Sequence, residues 1–360
     1  MEELLSEKES DSITNKCPNC GSSFAYDIST GKLKCDHCGT TQNIEKDDTV
    51  QRRAITDDII KQGTEWKEAS ITTCNNCGAK EVIDKKDISR KCCFCNSSNI
   101  VVSADLPGIK PDSVIPFQIT KDSAVDRFRH WIKSRILAPK LFKTSDIREH
   151  INAVYSPCWS FSAHTENYYQ GVLGKHVHTT TRNSQGQMVQ TTKTNWFRVK
   201  GQINENYSDY FVQSGDRIPS ISFNRLKPFD LKLLTVYRQE YLSGIIAEHY
   251  SRTLDICFGD FSNFVRMDIR QKIMRRHNAD VVQSIDIQTN YKNRRFNYIL
   301  LPLYIATYVY NNKTFNFYVN GASGLVVGGY PKSKLKIGLI VTSVILAIVA
   351  IGVIAFFVTK

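Results

Sequence analysis

The chain has 360 residues, 41% hydrophobic and 23% charged, enough for two or three domains that bury a core. Its net charge of +12 is unevenly placed: residues 1–105 carry 14 Lys and Arg against 18 Asp and Glu, and residues 106–360 carry 33 against 17. An acidic N-terminal third argues against nucleic-acid binding driven by charge, which needs Lys and Arg. The first fifteen residues are acidic and polar, with neither the basic start nor the apolar stretch of a secretory signal.

Residues 1–14 are expected to be disordered. Cys17-x2-Cys20 and Cys35-x2-Cys38 follow, with fourteen residues between the pairs. Cys74-x2-Cys77 and Cys92-x2-Cys95 repeat that spacing, each cysteine 57 residues after its counterpart. A Cys-x2-Cys turn delivers two thiolates to one ion, and two such turns complete a tetrahedral sulfur site. The expectation is two zinc ribbons, over 15–44 and 71–103, each holding one structural Zn2+ in a closed thiolate shell. A redox dithiol or an iron–sulfur cluster are the alternatives. Gly21 and Gly78 follow the second cysteine of each first pair, where the turn favours a residue without Cβ. Phe24–Ile28 and Lys32–Lys34 predict a hairpin turning at Ser29–Gly31, and Glu81–Asp84 with Ile88–Arg90 repeat it. Cys93 is in register with Asp36 and reads as a spare thiol; His37 reads as an exposed knuckle residue. Too small for cores of their own, such ribbons draw their folding free energy from the metal.

Residues 45–70 read as a spacer with one amphipathic helix near Asp57–Trp66. Pro107, Gly108 and Pro111 mark a boundary, and an α+β domain with mostly antiparallel strands is expected over 110–330. Its predicted elements are a strand at Val114–Ile119, a helix Lys121–Ile136 capped by Thr120, and a short helix at Ser145–Asn152. Strand segments follow at Tyr168–Val172, Val189–Thr194 and Phe197–Ile203, with turns at Asn183–Gly186 and Gly201. Helical character returns over Asn224–Leu242 and Ser251–Asn278. A strand at Val281–Asn290 precedes a hairpin of Tyr298–Tyr310 and Lys313–Val319, and Asn320-Gly321 and Gly324 mark the next turn.

Catalytic signatures are sparse. His176 and His178 share a strand face, His164 and Glu166 lie two apart, and Cys158 sits in Ser-Pro-Cys-Trp; solvated or packing roles are the simpler reading of each. No G-x-x-x-x-G-K-[ST], G-x-S-x-G or H-E-x-x-H occurs, so no enzyme is expected. Arg275-Arg276, Arg294-Arg295 and Lys332–Lys336 are the local basic clusters. Ile337–Val358 is 22 residues without a charge, in which only Thr342 and Ser343 are polar. At about 1.5 Å per residue it spans roughly 33 Å, enough to cross a bilayer. With Lys332, Lys334 and Lys336 before it, it predicts a tail anchor whose bulk faces the cytoplasm. A reducing compartment also suits unpaired Cys-x2-Cys motifs.

Two ribbons (KCPNCG…KCDHCG and TCNNCGAK…KCCFC), a body with PFQITKDSAVDRF, YSPCWSF and LPLYIATYVYNNKTFNFYVNG, and a terminal apolar helix resemble a family of bacterial membrane-anchored zinc-ribbon proteins. Their ribbons look like that of transcription factor IIB, and they are often labelled by similarity to primosomal protein N′. The helicase part of that label does not carry over, since no nucleotide-binding motif is present. The resemblance implies metal ligation by Cys17, Cys20, Cys35, Cys38, Cys74, Cys77, Cys92 and Cys95. It also implies partners resembling phage-shock protein A or the stomatin/prohibitin/flotillin group, in envelope stress. The expected function is a membrane adaptor that recruits cytoplasmic proteins, held to lipid through residues 337–358 and taking no small-molecule substrate; the alternative is a membrane-tethered nucleic-acid-binding protein.

Overall fold

The computed structural model describes residues 17–22, 24–56, 59, 69–74, 80–84, 100–103, 109–140, 147–182, 186, 188–310 and 313–358. The fold is α+β, with mostly antiparallel strands. Three strands, β1 (Phe24–Asp27), β2 (Lys32–Cys35) and β3 (Thr41–Gln42), form a small sheet of their own. All other strands belong to one large sheet.

The large sheet is organised by three long strands: β9 (Ile151–Arg182), β10 (Met188–Gln213) and β13 (Val281–Tyr310). β9 pairs antiparallel with β13 from Ile151 to Gly174, and with β10 from Cys158 to Arg182. Its 32 residues reach about 105 Å at roughly 3.3 Å per residue. Two bulges bend β13 against β9, and a third lies between Tyr207 and Tyr210 of β10. At that third bulge Asp209 takes a positive φ and receives both Arg52 Nε and Nη2, at 2.8 and 2.5 Å.

Near the start of β9 the sheet widens. β8 (Ser113–Val114) and β4 (Arg53–Ala54) join β13, and β14 (Lys313–Asn320) with β15 (Val326–Gly328) extends it further. On the other side β12 (Ile246–Glu248) runs parallel to β9 and hands the sheet on to β6 (Lys80–Asp84), β5 (Ala69–Cys74) and β7 (Ile100–Ser103). Strands from the segment predicted as the second ribbon are therefore annexed by the body's own sheet. The last short strand, β11 (Thr235–Val236), pairs with β8.

Four α-helices accompany the strands in the described residues: α1 (Lys121–Lys133), α2 (Ser220–Leu226), α3 (Leu254–Arg276) and α4 (Lys334–Val358). Leu254, Cys257, Phe261, Val265, Ile269 and Ile273 recur at helical spacing and give α3 one buried stripe. It lies along the ribbon, with Phe261 stacked on Phe161 and Phe264 on Tyr210. Tyr207 donates to Asp268 at 2.7 Å, and Lys272 bridges Asp268 and Glu205 at 2.9 Å each. The opposite face of the ribbon, with Tyr168, Gln170, Arg198, Lys200, Gln202 and Asp286, stays exposed.

Several expected elements are corrected. The segments predicted within 168–203, and those at 281–290 and 298–310, are parts of three continuous strands. Gly201 is no turn: it lies in mid-strand where a Cβ would sit 2.6 Å from the Tyr169 hydroxyl, so glycine there makes room for an aromatic ring. Of Val114–Ile119 only Val114 is strand, the second residue of β8, because Pro116 has no N–H for a ladder. The helix from Lys121 stops at Lys133, although Thr120 caps it as expected. Ile151 and Asn152, placed in a helix, begin β9 after a single 3-10 turn at Arg148–His150. Helical character over Asn224–Leu242 is broken near Pro228 into the end of α2, two 3-10 turns and β11. Most of the helix predicted at Asp57–Trp66, and the second-copy strand at Ile88–Arg90, lie outside the described residues. The Asn183–Gly186 turn keeps only Gly186 within them.

One acid is buried at the joint between β9 and β12. Glu248 is 2% exposed, receives the Ser156 hydroxyl at 3.3 Å, and leaves no space for a Cβ on Gly215. Burial, reinforced by nearby Asp216, pushes its carboxyl up to about 7. The folded state thus holds a proton that the unfolded chain releases near pH 4.5, so this group's contribution to stability falls as pH rises from about 4.5 to 7. Glu248→Gln is expected to flatten that window and to stabilise the protein at pH 8 by about 3 kcal/mol at most, read from thermal melts in detergent at pH 5 and 8. Glycines supply a second check of opposite signs. Gly171→Ala would drive a Cβ to 2.3 Å from the backbone oxygen of Ser284 and should lower Tm by several degrees. Gly259→Ala, on α3 with nothing within 4 Å, should raise stability by about 0.5–1 kcal/mol.

Candidate metal centre

The first ribbon folds into two knuckles with the same backbone pattern. The N–H of Cys17 donates to Ser22 O and that of Gly21 to Cys17 O, at 2.6 and 2.8 Å. The N–H of Cys35 donates to Thr40 O and that of Gly39 to Cys35 O, at 2.8 and 3.0 Å. Both glycines lie at φ above +70°, which closes each turn without Cβ strain. The predicted hairpin forms between the knuckles, with Gly31 at its turn and Asp27 accepting from Ser29 and Thr30.

This geometry brings the four sulfurs together. Cys17 Sγ lies 3.4 Å from Cys38 Sγ, Cys20 Sγ lies 3.5 Å from Cys35 Sγ, and all four fall within 4.8 Å of one another. Cys17 and Cys35 are buried, whereas Cys20 and Cys38 are exposed, so the cluster sits at the surface with one side closed by the ribbon. Four thiols converging at these separations can hold a metal ion. The donor set is also prepared electronically. The Thr40 hydroxyl and amide bring Cys38 down to about 6, making it a thiolate at neutral pH. Against the Ser22 amide, partial desolvation and hydrogen bonding with the three neighbouring thiols raise Cys20.

The ribbon is fastened to the body. Tyr26 donates its amide to Ser243 O at 2.8 Å and packs edge-on against Tyr241, with centroids 5.5 Å apart. Cys17, Phe24, Tyr26, Leu33 and Cys35 share one buried cluster with Tyr155, Tyr304 and the aromatic residues of α3. The segment after the ribbon continues across the body: Arg238 pairs with Glu45, Asp47 O accepts from Val236 N, and Ile55 N donates to Arg294 O.

Of the second set, Cys74 is buried at the end of β5. Cys77, Cys92, Cys93 and Cys95 lie outside the described residues. His37 is exposed and stands apart from the sulfur group. His176 and His178 are exposed on β9, bonded across the strand to Thr194 and Thr192 at 3.1 and 3.0 Å. His164 pairs with Asn206 and Glu166 with Lys292, so those two side chains are engaged separately. Cys158 is fully buried, and burial holds its thiol well above the usual range. Sequence reasoning missed the docking of the ribbon, whose hydrogen bond to Ser243 and ring contact with Tyr241 come from more than two hundred positions away.

The last helix, α4, includes within Lys334–Ala355 an 18-residue run with mean hydropathy 2.9 and none of it buried. It is long and apolar enough to cross a membrane. Compared with known proteins, the chain is 30% identical over 330 residues to the uncharacterized protein YdjG of Bacillus subtilis (strain 168), covering 90% of this chain and 92% of that one. No family model matches, and no solved structure matches.

Removing the metal with a chelator is expected to expose residues 17–44 to protease while β9 and β13 stay protected. Cys38→Ser should lower the bound metal by about one ion per chain, measured by elemental analysis. Because binding requires deprotonated thiols, acidification should release metal and never enhance its uptake. A metal content unchanged by Cys38→Ser would remove this site.

Proposed function

The chain belongs to the same family as YdjG of Bacillus subtilis, and from that premise we propose that it is a membrane-anchored zinc protein that recruits cytoplasmic protein partners to the membrane, with no catalytic step of its own. The observation that carries this reading is the placement of ends along β9. Residues 175–182 and 188–195 extend beyond the start of β13 as a two-stranded arm, mostly exposed on both faces. The apolar helix α4 leaves from the other end, beside α1 and β15. From Tyr155 to the arm's Arg182 is about 90 Å of strand. A display arm at one end and an anchor at the other suit a scaffold better than an enzyme.

The metal is zinc, on the chemistry of its donors. Four thiolates about 2.3 Å from a tetrahedral Zn2+ stand about 3.8 Å apart, in keeping with the sulfur separations of the first ribbon. The repeat of spacing assigns a second Zn2+ to Cys74, Cys77, Cys92 and Cys95. Both ions are structural: no ligand position is left for water. Helix α4 crosses the cell membrane, with Lys332, Lys334 and Lys336 keeping the bulk on the cytoplasmic side. By resemblance, the partners are proteins like phage-shock protein A or the stomatin/prohibitin/flotillin group. A nucleic-acid-binding reading has one observation in its favour: Trp196, Arg198 and Lys200 alternate on the exposed face of β10, an aromatic beside two cations.

Crosslinked capture from native membranes tests these readings. The arm's exposed apolar residues are altered as Val177→Asp/Val189→Asp, and the ribbons as Cys17→Ser/Cys74→Ser. A few membrane-associated proteins recovered by the wild type and lost from the arm variant are the expected result. Recovery of DNA-associated proteins that vanish with nuclease would move the weight to nucleic acid. Capture no better than background would overturn the adaptor.

A further inference from the structure

The chain near α4 carries an unusual charge pattern. No Asp or Glu occurs after Asp286, and none occurs between Asp126 and Asp146. These two stretches meet in space. After α1 ends at Ser134, residues 135–138 turn back beneath it, with Arg135 N and Ala138 N donating to Ile132 O and Arg135 O. Lys336, in the first turn of α4, reaches this turn and donates its ammonium to Ile136 O and Ala138 O at 3.0 and 2.7 Å. Ser333 N donates to Leu137 O at 2.9 Å. Three hydrogen bonds thus tie residues 136–138 to the point where the apolar helix begins.

Against that background Ile136 is out of place. It is 76% exposed, the largest exposure of any large hydrophobic residue in the described chain. Leu335, one residue before the tethering lysine, is 73% exposed. Exposed Lys133, Lys332 and Lys334 flank them in sequence. Behind them Arg135 lies over the Trp131 ring at 4.8 Å, and Trp131 meets Tyr330 edge-on at 6.0 Å. An exposed aliphatic tip, a rim of cations and a Trp/Tyr pair form the composition that settles at a membrane interface, where aromatic rings take the headgroup level.

We propose that the 134–138 turn is a second membrane-contact site, with Ile136 inserted at the boundary between headgroups and acyl chains and the surrounding cations holding anionic lipid headgroups. The occupant is the bilayer itself, argued from continuity: a turn bonded to the first turn of a membrane-crossing helix lies at the level where that helix enters. The proposal rests on the reading of α4 as spanning the membrane. Its consequence is orientation. One helix alone leaves the body free to tilt and spin about its axis, whereas a second contact beside it fixes which way the long ribbon points.

The full chain is reconstituted in nanodiscs, either purely zwitterionic or containing phosphatidylglycerol, with a photoreactive benzophenone residue at position 136, 346 or 267. Leu346 lies mid-helix in α4, and Met267 is exposed on α3, away from the anchor. Lipid adducts at 346 and at 136, with a several-fold excess of both over 267, and a higher yield at 136 with phosphatidylglycerol, are expected. Adducts at 346 without adducts at 136 above the 267 background would overturn the second contact while leaving the anchor intact. Equal yield at 136 in both lipid mixtures would overturn the anionic-headgroup assignment. Absence of adducts at 346 would instead overturn the membrane-spanning reading, and the second contact with it.

Discussion

Backbone pairing along β9 is the constraint on which the rest of the molecule depends. A strand of 32 residues presents N–H and C=O groups on both edges, and each buried group needs a partner. β13 satisfies one edge up to Gly174, and β12 followed by β10 satisfies the other. The strands that join from elsewhere, β4, β8 and β6, extend this ladder from the outer edges of β13 and β12. Segments from both sides of residue 110 are therefore held in one sheet. The first ribbon is held by packing against the same end of it.

A long ribbon also has to cover a face, and coverage divides it into three zones. Near Ile151 both faces are packed, and the strand reads as a nearly unbroken buried run through Phe161. Along the middle only the α3 face is covered, so burial alternates: Ala163, Thr165, Asn167 and Tyr169 point inward while their neighbours do not. Asn167 shows how polar groups are accommodated there. It is fully buried, yet its amide donates to Ile203 O and Thr165, and its carbonyl accepts from Thr289. Beyond Gly174 there is no cover, and the arm is built largely from Lys, His and Thr, with Val177, Met188 and Val189 left exposed.

That zoning explains what was legible in the sequence. The cysteine repeat was readable because ligand spacing is set by local turn geometry, and the knuckles of the first copy follow it residue for residue. Helices α1, α3 and α4 were readable from the spacing or density of apolar residues. The long strands were legible only as fragments, because each zone carries a different burial pattern. Gly201 looks like punctuation in a linear reading. In the structure a Cβ on Gly174 would meet the Trp196 ring, and a Cβ on Gly171 would meet the backbone of Ser284. Such glycines mark close approach between strands, which a single sequence does not distinguish from a turn.

The four-cysteine cluster and the apolar helix gather at the same end of β9. Tyr26 of the ribbon shares a buried cluster with Tyr155 and Tyr304, and Phe117 packs edge-on against both of those tyrosines at 5.1 and 5.0 Å. Phe117 also fills the space beside Gly321, in the turn leading to β15 and α4, and Phe128 of α1 stacks on Phe317 of β14. One buried cluster therefore includes residues of the cysteine-bearing ribbon and residues packed near the start of the apolar helix. The cysteine cluster and the apolar helix thus share the packed end of β9, while the polar face and the two-stranded arm extend away from it.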